Sequence, residues 1–159
     1  MVDPLVEIAD ALVTLIADNE ADLGETFPTG EPARGFYLHK KPDDFDLKCR
    51  IICRDEESER LTTDTNHALA AVSVAVQQRL EKLTDDRLLE LFTFTRQIVG
   101  LVSRNDVLID RDDADFGDYR AVLESVVHEP CWIPVQLVRY QTFTSIITLQ
   151  YSAEYDITP

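Results

Sequence analysis

Lysine is nearly missing from this sequence. Of 159 residues only Lys40, Lys41, Lys48 and Lys82 are lysine, beside 11 arginines, while 18 aspartates and 12 glutamates bring the formal charge to -15. The isoelectric point is about 4.4. So few cations among so many carboxylates disfavour direct binding of a phosphate backbone, which depends on Lys and Arg contacts. Glycine is scarce as well, at five residues, and the chain has no glycine-rich phosphate loop and no G-x-S-x-G, H-E-x-x-H or C-x-x-C pattern. With those motifs go the common nucleotide-binding, serine-hydrolase, zinc-protease and thiol-redox classes, so no enzyme is expected. Cys49, Cys53 and Cys131 are an odd count without a short paired motif, which argues against a disulfide framework or a zinc site. His39, His67 and His128 stand at no ligand spacing from one another. Neither a metal nor a cofactor is expected. No apolar run approaches the roughly 18–20 residues of a membrane span, and Met1-Val2-Asp3-Pro4 has neither the basic flank nor the apolar stretch of a signal peptide. A soluble chain, with no membrane partner and no secretion by that route, is the expectation.

What is present describes a folded domain. The chain is 45% hydrophobic with a mean hydropathy of -0.14, which a disordered acidic tail would not have. Its length fits one domain over residues 1–159, long enough to bury a core without staples. An excess of Asp with so little Lys fits a protein from a high-salt cytoplasm, where screening relieves self-repulsion. The rival reading is a local acidic surface that repels DNA or binds cations.

Periodicity sets out the elements. Asp3-Pro4 is a capping pair, and Leu5, Ile8, Leu12, Leu15 and Ile16 recur at helical spacing, predicting an amphipathic helix over 4–18. Residues 19–34, with Gly24, Pro28, Gly30 and Pro32, read as a long loop. Phe36 to His39 reads as a short aromatic strand, and Leu47 to Arg54 as a half-buried one. The charged stretch from Asp55 to Asp64 reads as a turn or loop. Over His67 to Leu80, Val72, Val74 and Val76 sit two apart, so a long strand is predicted despite the alanines. Thr84-Asp85-Asp86 caps the longest helix, over 85–103. Arg120 to His128 alternates as a strand, Pro134 to Tyr140 fits a helical turn, and Phe143 to Tyr155 is the cleanest period-two segment in the chain. Runs of strands with two substantial helices predict an α+β fold, a mostly antiparallel sheet packed on one face by the N-terminal and long middle helices.

Asp106 to Asp118 holds six aspartates, Asp106, Asp110, Asp112, Asp113, Asp115 and Asp118, against Arg111. Such a run invites a calcium reading, but an EF-hand loop counted from Asp113 places Gly117 and Asp118 in the wrong order at its fifth and sixth positions. A solvated acidic loop is expected instead.

The run Phe143-Thr144-Ser145-Ile146-Ile147-Thr148-Leu149-Gln150-Tyr151, preceded by Pro134 and Leu137, resembles the closing segment of the tail terminator, or tail completion, proteins of long-tailed bacteriophages and archaeal tailed viruses. The layout is similar too: an early helix, a long middle strand leading into one long helix, an acidic loop, then the closing strand. The resemblance implies a subunit of a homo-hexameric ring. That ring caps the tail tube, stops its polymerisation and docks the neck or head-completion protein, with the genome passing through unbound. It implies a place at the tail–neck junction of the virion, after synthesis in the host cytoplasm. Within that frame the ring-contact candidates are Arg50, Arg54, Trp132 and Arg139, with the outer strand face Thr144, Ile146, Thr148 and Gln150. Asp110, Asp112, Asp113 and Asp115 are the candidate lumen, where carboxylates would repel DNA. Two other readings stay open: another neck or tail-tube protein, and an unrelated acidic binding module.

Overall fold

The computed structural model describes residues 3–38, 42–60, 65–113, 117–129 and 131–156. The Asp3 carboxylate caps helix α1 (Pro4–Asp18), accepting from the backbone N–H groups of Leu5 and Val6 at 3.1 and 3.3 Å, with Pro4 at the first turn. Ile8, Ala9, Leu12 and Ile16 are its buried stripe. A single further turn, α2 (Glu20–Leu23), ends on Gly24 at φ 80°, a left-handed conformation that glycine adopts without a Cβ clash. Strand β1 (Ala33–Gly35) follows. The expected loop over 19–34 therefore contains a helical turn and part of a strand. The strand expected at Phe36 is displaced: Phe36 and Tyr37 lie beyond β1, 69% and 72% exposed, and His39 falls outside the described residues. Aromatic residues favour strands by packing on a pleated surface, but here the chain leaves the sheet at Gly35, before these two are reached.

Strand β2 (Lys48–Arg60) pairs antiparallel with β3 (Thr65–Arg79), from Lys48↔Gln77 to Arg60↔Asn66, with a bulge between Cys53 and Asp55. The turn expected over 55–64 is thus strand up to residue 60, and 61–64 lie outside the described residues. Main-chain ladder bonds hold this stretch extended whatever its side chains. Helix α3 (Asp85–Arg104) begins where expected, with the Thr84 hydroxyl accepting from the Arg87 N–H at 3.3 Å. The largest correction comes next. The expected acidic loop is a hairpin, β4 (Val107–Asp113) against β5 (Gly117–Val127), with Asp110 paired to Arg120. Composition hid it, because the alternation Val107, Ile109 is too short to outweigh six aspartates. Helix α4 (Pro134–Tyr140) leads through Gln141, at φ 50°, into β6 (Thr142–Asp156).

The fold is α+β, and the six-stranded sheet has the order β1-β2-β3-β6-β5-β4. It is mixed: β1 runs parallel to β2, and the pairs β2–β3, β3–β6, β6–β5 and β5–β4 are antiparallel. The middle strand β3 and the closing strand β6 lie side by side along their full lengths, from Thr65↔Asp156 to Arg79↔Thr142. Their paired residues Val72↔Leu149 and Val74↔Ile147 point to one face, where they join Ile8, Leu12 and Ile16 of α1 and Leu91, Phe94 and Ile98 of α3 in a single core. Each such buried aliphatic side chain contributes about 1.5–3 kcal/mol relative to exposure. Cys49 and Cys53 belong to this core as free thiols, and burial pushes the Cys49 thiol far above its ordinary pKa, so neither is a ready nucleophile. No helix among the described residues is long and apolar enough to cross a membrane.

Candidate functional site

Strand parity dictates that residues alternating with the core set face the other way. On β2 these include Lys48, Arg50 and Ile52; on β3 Ser73, Ala75 and Gln77; on β6 Thr144, Ile146, Thr148 and Gln150. Neither α1 nor α3 packs on this second face, since both contribute their apolar stripes to the core on the first. The second face is polar and partly knit together by its own bonds. Gln77 Nε2 donates to Thr144 Oγ1 at 3.2 Å, the Thr144 hydroxyl donates in turn to Gln136 Oε1 of α4, and Ser73 and Thr148 share a hydroxyl bond at 3.3 Å.

The predicted contact residues divide accordingly. Thr144 is fully buried and committed to Gln77 and Gln136, which removes it as a contact for another subunit. Ile146 and Thr148 are half-buried and Gln150 is exposed on the same face. Arg50 is engaged within the subunit, its Nη2 2.6 Å from Glu31 Oε1. Arg54, at the β2 bulge, and Arg139, on α4, are exposed. Trp132 is 45% exposed and meets Phe92 edge-on at a centroid distance of 5.8 Å. Asp110 is exposed on β4, Asp112 and Asp113 lie within β4, and Asp115 falls outside the described residues.

Tertiary structure adds a feature that the sequence does not display. The sheet brings five segments to one end: residues 55–60 of β2, 65–71 of β3, 150–156 of β6, 117–121 of β5 and 109–113 of β4. These 30 residues carry ten carboxylates and three arginines. Nearly half the net charge thus stands on less than a fifth of the chain. One row of paired residues crosses all five strands at this end, Glu59↔His67, His67↔Glu154, Glu154↔Arg120 and Arg120↔Asp110, and its last two pairs set opposite charges across the ladder. Opposite charges directly across strands attract by a few tenths of a kcal/mol to about 1 kcal/mol each, which lets an acidic end hold together as sheet. His67 Nε2 also lies 2.8 Å from Ser152 Oγ.

Most hollows in the surface offer little chemistry. One of about 680 Å³ is an open groove between α2 and α3 lined by Leu23, Glu25, Arg87, Leu89 and Glu90 among others. Its cation is spoken for: Arg87 is held by Glu25 at 2.6 Å, Glu90 at 2.8 Å and Gln78 at 2.7 Å; burial pulls its pKa down, but the Glu25 and Glu90 carboxylates together outweigh that and push it up. No group of three or more potential metal ligands occurs among the described residues.

One histidine is set in a telling environment. His128 Nε2 is 2.7 Å from Ser145 Oγ, its ring stacks on Phe92 at 6.5 Å, and its buried Nδ1 has no hydrogen-bond partner among the described residues. Burial, aided by the Arg96 guanidinium, holds its pKa below the ordinary 6.5. The unfolded chain therefore takes up a proton at higher pH than the folded one does. The stability His128 contributes is intact above pH 6.5 and is lost as pH falls through the depressed folded value. Trp132, the sole tryptophan, rests against the same Phe92, so its emission reports the event. We expect unfolding midpoints to drop as pH falls from 6.5 and His128→Gln to flatten that slope; an unchanged slope would remove His128 from the account.

In comparison with known proteins, the chain matches no protein-family model and no curated protein.

Proposed function

We propose that this chain, residues 1–159 taken as one domain, is a structural subunit of a tailed-virus particle. In this reading copies form a ring, hexameric as in the tail-terminator family that the closing segment resembles. The ring caps the tail tube, halts its polymerisation and presents its other side to the neck or head-completion protein. The observation that carries the reading is the one-sided build of the sheet. The long helices α1 and α3 cover only the core face; on the other, α4 reaches Thr144 through Gln136 and Ser73, Ala75 and Gln77 are themselves buried, which leaves the stretch around Ile146, Thr148 and Gln150 and the two sheet edges as places where rigid neighbours can abut. Unpartnered sheet surface of this kind suits assembly better than it suits the enclosure of a small molecule, which favours concave apolar pockets.

The acidic end gives the second support. If it lines the channel, Asp110 and its neighbours on five strands repel the phosphate backbone and let the genome pass without adhering. High salt in the host would screen the repulsion that such a crowd of carboxylates imposes on the ring itself.

Two measurements test the function. Light scattering in physiological and in multimolar salt should return a discrete mass near six subunits; filaments would favour a tail-tube role, and a monomer throughout would favour an acidic binding module. In virions assembled without this protein, electron microscopy should show overlong tails of irregular length. Tails of normal length, joined to heads, would overturn the assignment.

A further inference from the structure

We propose that the hollow between Arg79 and Arg139 binds a compact oxyanion with two negative charges, of the phosphate or dicarboxylate class. It lies at the end of the sheet away from the acids. There the pair Arg79↔Thr142 closes the long β3–β6 ladder, whose other end is Thr65↔Asp156. The space is about 410 Å³, and Phe45, Arg79, Glu81, Arg139 and Tyr140 are among the residues around it.

Unpaired cations set this hollow apart. In the groove beside α3, Arg87 is held by Glu25 and Glu90. In the hollow beside Tyr37, Lys48 pairs with Asp44 and Arg50 with Glu31, and Asp43 and Asp44 are part of that wall. Arg120 shares its hollow with Glu124 and Glu154. Between Arg79 and Arg139 the balance is reversed: two guanidinium groups border one space, and among the described residues neither has a carboxylate within ion-pair distance. Glu81 is exposed and reaches neither of them. Two like charges in one concavity raise the local potential and draw in a counterion.

The arginines are held ready for it. The Leu80 N–H donates to the Gln141 carbonyl at 2.8 Å, so the chain just after Arg79 is tied to the chain just after Arg139. Arg79 is half-buried, its guanidinium 4.9 Å from the centre of the Phe45 ring, and its Nη1 makes long contacts to the Pro42 and Asp43 carbonyls at 3.4 and 3.5 Å. Ring and carbonyls together restrain the guanidinium and leave Nε and Nη2 as open donors. Arg139 is exposed, with all its donors open among the described residues. Each guanidinium fork matches two oxygens of a carboxylate or phosphate, and two forks from different elements match an anion that carries oxygens on two sides. The ligand is small because a chain of charge -15 repels a long polyanion over the rest of its surface. None of this depends on the ring reading above.

Isothermal titration calorimetry at low ionic strength, once with inorganic phosphate and once with succinate, tests the site. At least one of the two should bind the wild type at a single site with Kd of about 1 mM or below. Arg79→Gln and Arg139→Gln should each weaken that binding about tenfold or more, while Arg54→Gln, at an exposed arginine on β2, should leave it unchanged. Phosphate alone taken up assigns the phosphate class, succinate alone the dicarboxylates, and uptake of both a site that reads charge. Circular dichroism checks the fold of each variant; if Arg79→Gln loosens the chain around Phe45, the exposed Arg139→Gln decides by itself. Arginines that serve only to steady the end of α4 and the turn beside it would leave the wild-type titration blank. A blank titration with both anions, or binding that Arg139→Gln leaves at full strength, overturns the inference.

Discussion

Replacing Phe94 with alanine is expected to lower the free energy of unfolding by about 3–5 kcal/mol, the usual cost of deleting a buried phenylalanine and leaving a cavity. Phe94 is 1% exposed, faces the sheet from the middle of α3, and meets Phe27 edge-to-face at 5.7 Å. That pair pins the irregular chain after α2 onto the long helix, so the deletion loosens two elements together. For a protein of this length the loss corresponds to about 10 °C in melting temperature. Urea titration should show a lower midpoint with the slope preserved. Phe36→Ala is the control: its ring is 69% exposed, and its loss should stay within about 0.5 kcal/mol. A Phe94→Ala cost below about 1 kcal/mol would mean that α3 does not pack on the sheet in this way.

Glu31→Ala carries the second large effect, about 2 kcal/mol. The carboxylate is buried in the segment before β1 and accepts from the Cys49 N–H at 3.1 Å, while its other oxygen meets Arg50 at 2.6 Å. Alanine would orphan a backbone N–H in the core strand, a loss of about 1–3 kcal/mol. The broken ion pair adds little, because Arg50 keeps access to water. Burial holds the Glu31 pKa above its ordinary 4.5, outweighing the Cys49 N–H and the Arg50 and Lys48 charges that pull it down. A raised carboxyl pKa gives stability that is present below pH 4.5 and lost as pH rises through the folded value. Glu31→Gln keeps an acceptor for Cys49 without the buried charge. It should therefore be much milder than alanine at neutral pH and should gain on the wild type as pH rises out of the acid range. Equal losses for Gln and Ala would show that the ion pair, not the Cys49 bond, holds the segment.

How much of this was legible beforehand follows the reach of the interactions. The helices over 4–18 and 85–103, the long strand through Val72–Val76 and the closing strand from Phe143 were all readable, because capping and side-chain period are written in neighbours a few residues apart. The acidic hairpin was misread for a matching reason: strand pairing is a partnership with residues elsewhere, and a polar strand advertises nothing locally. Thr144 looked like an outward residue by alternation alone. Only the arrival of Gln77 from β3 and Gln136 from α4 turned it into a buried hydrogen-bond centre. Phe36 and Tyr37 erred the other way, read as strand and found on the surface.

Charge draws the line most clearly. Composition by itself determined that the protein is acidic and poor in lysine, since net charge is a sum that folding leaves unchanged. Where the charge acts was decided by tertiary structure. Segments far apart in sequence were laid side by side by the strand order β2-β3-β6-β5-β4, so carboxylates that looked spread through separate loops share one end of a sheet. Coulomb interactions act through space, and only the folded chain sets those distances.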